Sequence, residues 1–459
     1  MHIRFDRGTL LFRDVPPGLD LGGLTGARYD QRVNAWRARA CDKSTIIHVL
    51  RLKDIEVADD AWRPLAHVAR TPVIELRPYQ EQALASWQRA QRRGVIVLPT
   101  GSGKTRVALA AIARTALRTL VLVPTRVLLE QWVAVLSAAG FSSIGRYGDG
   151  HHELGAVTVA TIDAAWRWMH KIGDAFELLI VDEVHRIAGE VRGEALDMSV
   201  ASARLGLTAT MPEAEATARI ERSVGPVVHT STIEELAGTF LSPFDIVVIG
   251  VQLTRVEREV YERHMAMFRA WVEEQRFVDP ELTIKDLAKR SRRTPEGRSA
   301  FDALRVAHAT LHYPTHKRTI LGQLIQEHRA RKVLVFTPDN KTAFAIAREH
   351  LVPPITCDMP RPERKHVLEM FRSGAIRCIV SSQVLNEGVD VPDADIAIVV
   401  GGRKGEREHV QRIGRVLRPI AGKSATVFEL VVSKSSEVQA GVRRRGPLVT
   451  SAVRAGPRP

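Results

Sequence analysis

Gly94-Val95-Ile96-Val97-Leu98-Pro99-Thr100-Gly101-Ser102-Gly103-Lys104-Thr105 is the stretch that decides how this chain is read. An apolar run, 94–98, leads into a glycine-punctuated loop, and an alanine-rich stretch of helical spacing, 106–117, leads out of it. Strand, glycine loop and helix in that order make a phosphate cradle. Glycines let the backbone N–H groups turn inward around an anion, and the helix N-terminus adds partial positive charge. In such a cradle Thr100, Gly101, Ser102 and Gly103 line the phosphates, Lys104 reaches the terminal ones and the Thr105 hydroxyl holds Mg²⁺. The full pattern opens on glycine, where this chain has Leu98, so the match is to the Gly-Lys-Thr half. A glycine turn beside a surface lysine is the plainer alternative, and the flanking strand and helix argue against it.

A second signal is Leu178-Leu179-Ile180-Val181-Asp182-Glu183-Val184-His185. Four apolar residues form a buried strand, and two acids follow at its C-terminal end, where open α/β sheets bind ligands. Two acids there could simply cap a helix. With a phosphate loop upstream, Asp182 instead completes the Mg²⁺ shell and Glu183 orients or deprotonates the attacking water. Phosphoryl transfer also needs a positive side chain, and Gln411-Arg412-Ile413-Gly414-Arg415-Val416-Leu417-Arg418 offers one. Arg412, Arg415 and Arg418 can share a helical face and act as fingers. The same face could be plain basic surface or could bind phosphodiester.

Around these motifs apolar runs alternate with helical stretches. The runs are 95–98, 120–123, 157–160, 178–181 and 205–207, continuous rather than alternating, as in strands covered on both faces. That rhythm predicts a parallel sheet with crossover helices. It breaks over about 255–315, where a long polar helix precedes the basic stretch Lys285-Asp286-Leu287-Ala288-Lys289-Arg290-Ser291-Arg292-Arg293, either a solvated face or a contact for nucleic-acid backbone. A second alternation runs from Lys332 to about Val432. The reading is α/β, with residues 1–70 a small N-terminal α+β domain, 71–240 a first lobe, 241–435 a second lobe carrying the helical basic insertion, and 436–459 a basic, disordered tail.

Composition bounds the setting. At 459 residues the chain holds more than one domain, and a formal net charge of +14 points to a polyanionic partner, nucleic acid first. Cys41, Cys357 and Cys378 make no C-x-x-C pair, which suits a reducing cytoplasmic compartment and argues against structural zinc. The start, Met1-His2-Ile3-Arg4-Phe5-Asp6, lacks a signal peptide's apolar core, and no apolar run approaches membrane-spanning length.

Taken together these motifs resemble superfamily 2 helicases, and more closely the XPB family in its short archaeal and bacterial form. Leu76-Arg77-Pro78-Tyr79-Gln80 matches the motif ahead of the phosphate loop, and Pro99–Thr105 matches motif I. Val123-Pro124-Thr125-Arg126 and Val159-Ala160-Thr161-Ile162 are similar to strand-contacting motifs. Asp182-Glu183-Val184-His185 is the DEVH form of motif II, and Thr208-Ala209-Thr210 resembles motif III. Ser381-Ser382-Gln383-Val384-Leu385-Asn386-Glu387-Gly388-Val389-Asp390-Val391-Pro392 resembles motif V, and the 411–418 stretch motif VI. The resemblance implies two RecA-like lobes and ATP-dependent DNA unwinding or translocation with 3′-to-5′ polarity in DNA repair. It implies that Gln80, with Arg77, reads adenine, that His185 and motif III link the nucleotide to lobe motion, and that Gly388 and Asp390 face the nucleotide. It gives the catalytic set as Glu183, Lys104, Gln411, Arg415 and Arg418, with Arg415 and Arg418 the fingers. Residues 1–70 resemble the family's damage-recognition-like domain, the 255–315 insertion sits where the family has a thumb, and a nuclease partner is implied. One departure stands out. The family carries an Arg-Glu-Asp element soon after motif III, and here Met211-Pro212-Glu213-Ala214-Glu215-Ala216 stands instead. A nucleotide-gated DNA clamp with little unwinding is therefore an alternative, and because these motifs alone do not separate DNA from RNA, an RNA helicase is another.

Overall fold

The structure is a computed structural model, and it describes residues 1–459 apart from 64–67, 69–71, 149, 188, 237–243, 383–393, 402–424, 446–452 and 456–459. The chain divides into two compact units, Met1–Thr232 and Ile233–Pro459.

The first unit opens with a small sheet. Strands β1 (His2–Asp6), β2 (Thr9–Arg13), β3 (Arg28–Asp30), β4 (Ala35–Arg39) and β5 (Ala58–Asp60) lie in the order β3-β4-β2-β1-β5. The Arg7-Gly8 turn joining β1 to β2 has both residues at positive φ, 49° and 86°. Helix α1 (Leu21–Thr25) and helix α2 (Lys43–Arg51) bury Leu21, Ile46 and Leu50 against Ile3, Leu10 and Phe12 of the sheet. Val200, from far along the chain, completes that small core. A side-chain carbon added to Gly8 would meet Met198 at 2.8 Å, so the turn fits the neighbouring segment only as glycine.

The larger sheet of this unit follows helix α3 (Pro78–Arg89). Its strands are β6 (Arg93–Val97), β7 (Thr119–Val123), β8 (Ile144–Gly148), β9 (His151–Glu153), β10 (Val157–Thr161), β11 (Leu178–Asp182), β12 (Ala203–Thr208) and β13 (Val227–Thr230). They lie in the order β13-β6-β12-β11-β7-β10-β8-β9, parallel except for β9. Every residue of β7, β10, β11 and β12 is buried, the pattern of strands covered on both faces. The crossover helices are α4 (Lys104–Thr115), α5 (Arg126–Ala138), α6 (Ile162–Ile172), α7 (Glu190–Asp197) and α8 (Ala214–Ser223). β8 and β9, at the sheet's far edge, and β13, at the opposite edge, were not among the expected runs; β9 and β13 include exposed positions, so no continuous apolar run announces them.

The second unit begins with the short helix α9 (Ile233–Leu236) and holds a sheet of strands β14 (Phe244–Val251), β15 (Val333–Phe336), β16 (Pro354–Ile355), β17 (Cys378–Ser381), β18 (Ile396–Val399), β19 (Ala425–Val432) and β20 (Val453–Ala455). Their order is β16-β17-β15-β18-β19-β14-β20 and every pairing is parallel. Between β14 and β15 lies the helical insertion: α10 (Arg255–Val278), α11 (Ile284–Ser291) and α12 (Pro295–His312), followed by α13 (Thr315–Glu327). Thr254 and Glu257 form a capping box that starts α10. Tyr261 and Met265 of α10 pack with Ala307 and Leu311 of α12, and Trp271 packs with Leu287 and Ala300. The basic stretch is thus only partly free: Leu287 and Ser291 face inward, Arg290 pairs with Asp279 at 3.0 Å, and Lys289, Arg292 and Arg293 are exposed. Helices α14 (Asn340–His350) and α15 (Arg361–Ser373) follow β15 and β16.

The expectation of a disordered tail over 436–459 needs correction for its described residues, 436–445 and 453–455. Ser436–Arg445 is a helix, α16, and β20 pairs with β14. The reason is a buried anchor that composition does not reveal. The Lys317 ammonium, fully buried on α13, donates to both carboxylate oxygens of Glu437 at 2.9 and 3.0 Å and to the carbonyls of Leu311 and Val400. Glu437 also accepts from the Val432 N–H at 2.9 Å. Removing one partner strands the other charge in the interior, so Glu437→Ala is expected to destabilise the unit by about 3–5 kcal/mol. Urea unfolding would read this; a midpoint within error of the parent would contradict it.

Candidate ATP-binding site

The register of three neighbouring strands assembles this site. In β6-β12-β11, Val97 lies opposite Thr208 and Leu207 opposite Asp182. The phosphate loop, the Thr208-Ala209-Thr210 segment and the acid pair therefore leave adjacent strands at the same C-terminal edge, where α/β sheets bind ligands. The Leu98 N–H donates to the Thr208 carbonyl at 3.0 Å, which continues the ladder into the loop.

The loop itself has the shape of an anion cradle. Gly101 and Gly103 have φ of 84° and 82°, and Gly103 stands at the N-terminus of α4. A side-chain carbon on Gly103 would lie 2.5 Å from Gln80 Nε2, which together with the positive φ strongly favours glycine at this position. Ser102 is buried and its hydroxyl donates to the Pro99 carbonyl at 2.7 Å. Lys104 Nζ donates to the carbonyls of Leu98 and Pro99 at 3.1 and 3.3 Å, folded back along the loop. The Thr100 hydroxyl is buried with no hydrogen-bond partner among the described residues. An orphaned buried hydroxyl beside inward-turning backbone is what a ligand with acceptor oxygens relieves.

Gln80 braces the loop from behind. It is 2% exposed, its Nε2 donates to the Ser102 carbonyl at 2.7 Å, and its Oε1 accepts from the Arg77 N–H at 2.9 Å. The Tyr79 hydroxyl donates to the same Ser102 carbonyl at 2.5 Å. Tyr79 is a loop-bracing residue not singled out from the sequence.

Asp182 ends β11 and is buried. Its Oδ1 accepts from the Glu183 N–H at 3.0 Å and its Oδ2 from the Trp132 indole N–H at 2.9 Å. Burial pushes the Asp182 carboxyl up from its ordinary range, and Trp132, the Lys104 ammonium and the Glu183 N–H pull it back. Glu183 takes left-handed backbone geometry, φ 50° and ψ 52°, which costs a non-glycine residue energy and turns the chain sharply where β11 ends. His185 Nδ1 stands 3.4 Å from Glu183 Oε2 and 3.1 Å from the Thr208 hydroxyl, and that hydroxyl donates to the Thr210 carbonyl at 2.8 Å. His185 thus stands between the acid pair and the 208–210 segment, hydrogen-bonded to Thr208 and close to the Glu183 carboxylate.

Of the residues expected to serve this site, Arg77, Gln80, Thr100 through Thr105, Asp182 and Glu183 converge at one sheet edge. Gly388, Asp390, Gln411, Arg415 and Arg418 lie outside the described residues. Trp132 was missed. Its signal was faint, a tryptophan on an apolar helix face, where core packing is the usual reading.

A phosphate loop, an acid pair and a motif III segment on neighbouring parallel strands, in a chain with a second parallel sheet, define a RecA-like ATPase of two lobes. Comparison with known proteins narrows the class. Residues 73–213 match the profile described as "Type III restriction enzyme, res subunit", 316–419 match "Helicase conserved C-terminal domain", and 3–61 match "Xeroderma pigmentosum group B helicase damage recognition domain". The chain is 32% identical to the DNA 3'-5' translocase XPB2 of Sulfurisphaera tokodaii, over 97% of this chain and 100% of that protein. It is 28% identical to the DNA 3'-5' helicase XPB of Kineococcus radiotolerans, over 84% of this chain and 62% of that longer protein. The Pyrococcus furiosus Hef helicase domain shares the fold, with a TM-score of 0.54 at 18% identity over 79% of this chain and 97% of that one. The chain belongs to the XPB family of superfamily 2 helicases, ATP-dependent enzymes that act on DNA.

Proposed function

We propose that ATP hydrolysed at this sheet edge drives the protein along duplex DNA with 3′-to-5′ polarity, with strand separation secondary. The observation that carries the site is the convergence of the cradle after β6 and Asp182–Glu183 after β11 on either side of β12, whose Thr208 is hydrogen-bonded to His185. The backbone N–H groups of 100–105 take the phosphates. Lys104 exchanges its carbonyl partners for the terminal phosphates, a swap between acceptors that leaves the ammonium paired throughout. Thr105 and Asp182 fit a divalent cation: a hydroxyl at the helix start and a buried carboxylate at the strand end are hard oxygen donors. When bound, Mg²⁺ neutralises charge on the phosphate oxygens. Glu183 takes the proton of the attacking water, and His185 passes the state of the acid pair to Thr208. Arg415 and Arg418 belong to the same proposal as its transition-state charge, Gln411 as an uncharged hydrogen-bonding member of the catalytic set, and Gly388 and Asp390 as facing the nucleotide. Gln80 with Arg77 reads adenine, which Gln80, already bonded to Ser102 and Arg77, does with its remaining hydrogen-bonding capacity. Free thiols at Cys41, Cys357 and Cys378 suit a cytoplasmic setting, and a nuclease partner is carried over from the family resemblance.

Translocation is favoured over unwinding because the 211–216 segment lacks the family's Arg-Glu-Asp element; the full-length relative named above is likewise called a translocase. Displacement of a triplex-forming strand should therefore require ATP and proceed readily, while release of one strand from a forked duplex stays near background. Fork unwinding as fast as triplex displacement would make the protein a helicase in the full sense. ATP hydrolysis with neither displacement would favour the nucleotide-gated clamp.

A further inference from the structure

Trp132 is 2% exposed on α5, and its indole N–H has one described acceptor, Asp182 Oδ2 at 2.9 Å. A purely space-filling aromatic at this position could be phenylalanine. A buried indole brings a donor that must be satisfied, and here the donor is satisfied by the acid itself. The other carboxylate oxygen is held by the Glu183 N–H at 3.0 Å. Two donors in different directions fix the plane of the carboxylate: one is local backbone, and the other comes from a different crossover helix. Removing the indole N–H leaves a single tether, about which the carboxylate can turn. α5 starts at Arg126, with Thr125 as its cap through a 3.3 Å bond from the Leu128 N–H, and Trp132 lies about two turns further on. The carboxylate is thereby registered to a helix whose cap, Thr125, and first residue, Arg126, belong to a segment resembling a strand-contacting motif.

We propose that Trp132 is a positioning residue for the metal acid: its indole N–H holds Asp182 in the orientation that binds Mg²⁺ with the nucleotide. This rests on the reading of Asp182 as a Mg²⁺ ligand. Partners that orient a metal ligand typically account for about 10–100-fold in metal affinity. The test is binding of a fluorescent ADP analogue to the full chain, titrated with Mg²⁺, for the parent, Trp132→Phe and Asp182→Asn. For Trp132→Phe the Mg²⁺ concentration that half-saturates the tightening of nucleotide binding should rise about tenfold or more. Affinity without Mg²⁺ should stay within twofold, which a general loosening of the lobe would not spare. A Mg²⁺ dependence equal to the parent's in Trp132→Phe, with Asp182→Asn having lost it, overturns the role of Trp132 alone. A parental dependence in Asp182→Asn overturns the metal-ligand reading and this proposal with it. Should Trp132→Phe fail to fold, the indole ¹H–¹⁵N resonances of the tryptophan-labelled parent and Asp182→Asn provide the second measurement. One indole resonance should shift between the two proteins and respond to Mg²⁺·ADP in the parent. Identical indole spectra would overturn the proposal.

Discussion

Glu183→Gln is expected to lower kcat for ATP hydrolysis by about 10²–10⁴-fold, the range that a positioned general base contributes. The amide keeps the size of the side chain and its place in left-handed backbone beside His185, so the lobe should fold as before. What it loses is the capacity to accept the water's proton. ATP and DNA binding should therefore stay close to the parent's, which equilibrium binding can verify beside steady-state turnover. Lys104→Ala should lose turnover for a different reason. Its ammonium has no carboxylate partner among its described bonds, only the loop carbonyls of Leu98 and Pro99, and it is placed to follow the phosphates. That variant should lose ATP affinity as well as rate, and the split between KM and kcat separates the two residues. Normal turnover in both variants would contradict the assignment of the site.

Arg415→Ala and Arg418→Ala are expected to lower DNA-stimulated turnover by about 10³–10⁵-fold, the range reported for arginine fingers in phosphoryl transfer. The argument is one of charge. On the proposed reading Lys104 and a bound cation would neutralise the ground-state triphosphate, but charge that develops in the transition state needs a donor placed for it. Arg204, the buried arginine of β12, lies opposite Leu179 near the start of β11, away from Asp182 at its end, and donates to the carbonyls of Ala201, Ser199 and Ser223, so it is not placed to serve the phosphates. Binding of ATP should survive in both arginine variants. A fall of less than tenfold in both would assign motif VI to backbone contact with nucleic acid instead.

Continuous apolar runs made the first parallel sheet legible, because residues buried on both faces leave no alternation to confuse with amphipathic helix. The phosphate loop and acid pair were legible because their chemistry admits few residue types at fixed spacing. β8, β9, β13, α16 and the role of Trp132 were not legible. β9 and β13, at the edges of their sheet, expose part of their length and so carry no apolar run. The α16 helix is secured by one long-range ion pair, Lys317 with Glu437, and local composition around a run of arginines pointed the other way. Trp132 acts through a partner fifty residues away, a separation that no local pattern encodes. The small N-terminal sheet shows the same limit: its core is closed by Val200, which belongs to the segment between the acid pair and β12.

The most direct test of the central claim, that ATP turnover at this site is coupled to DNA, is steady-state ATP hydrolysis measured side by side with duplex DNA, single-stranded DNA and RNA. Turnover should rise with DNA, most with duplex, and the rise should vanish in Glu183→Gln. Stimulation by RNA alone, or stimulation by DNA that persists in Glu183→Gln, would contradict the account.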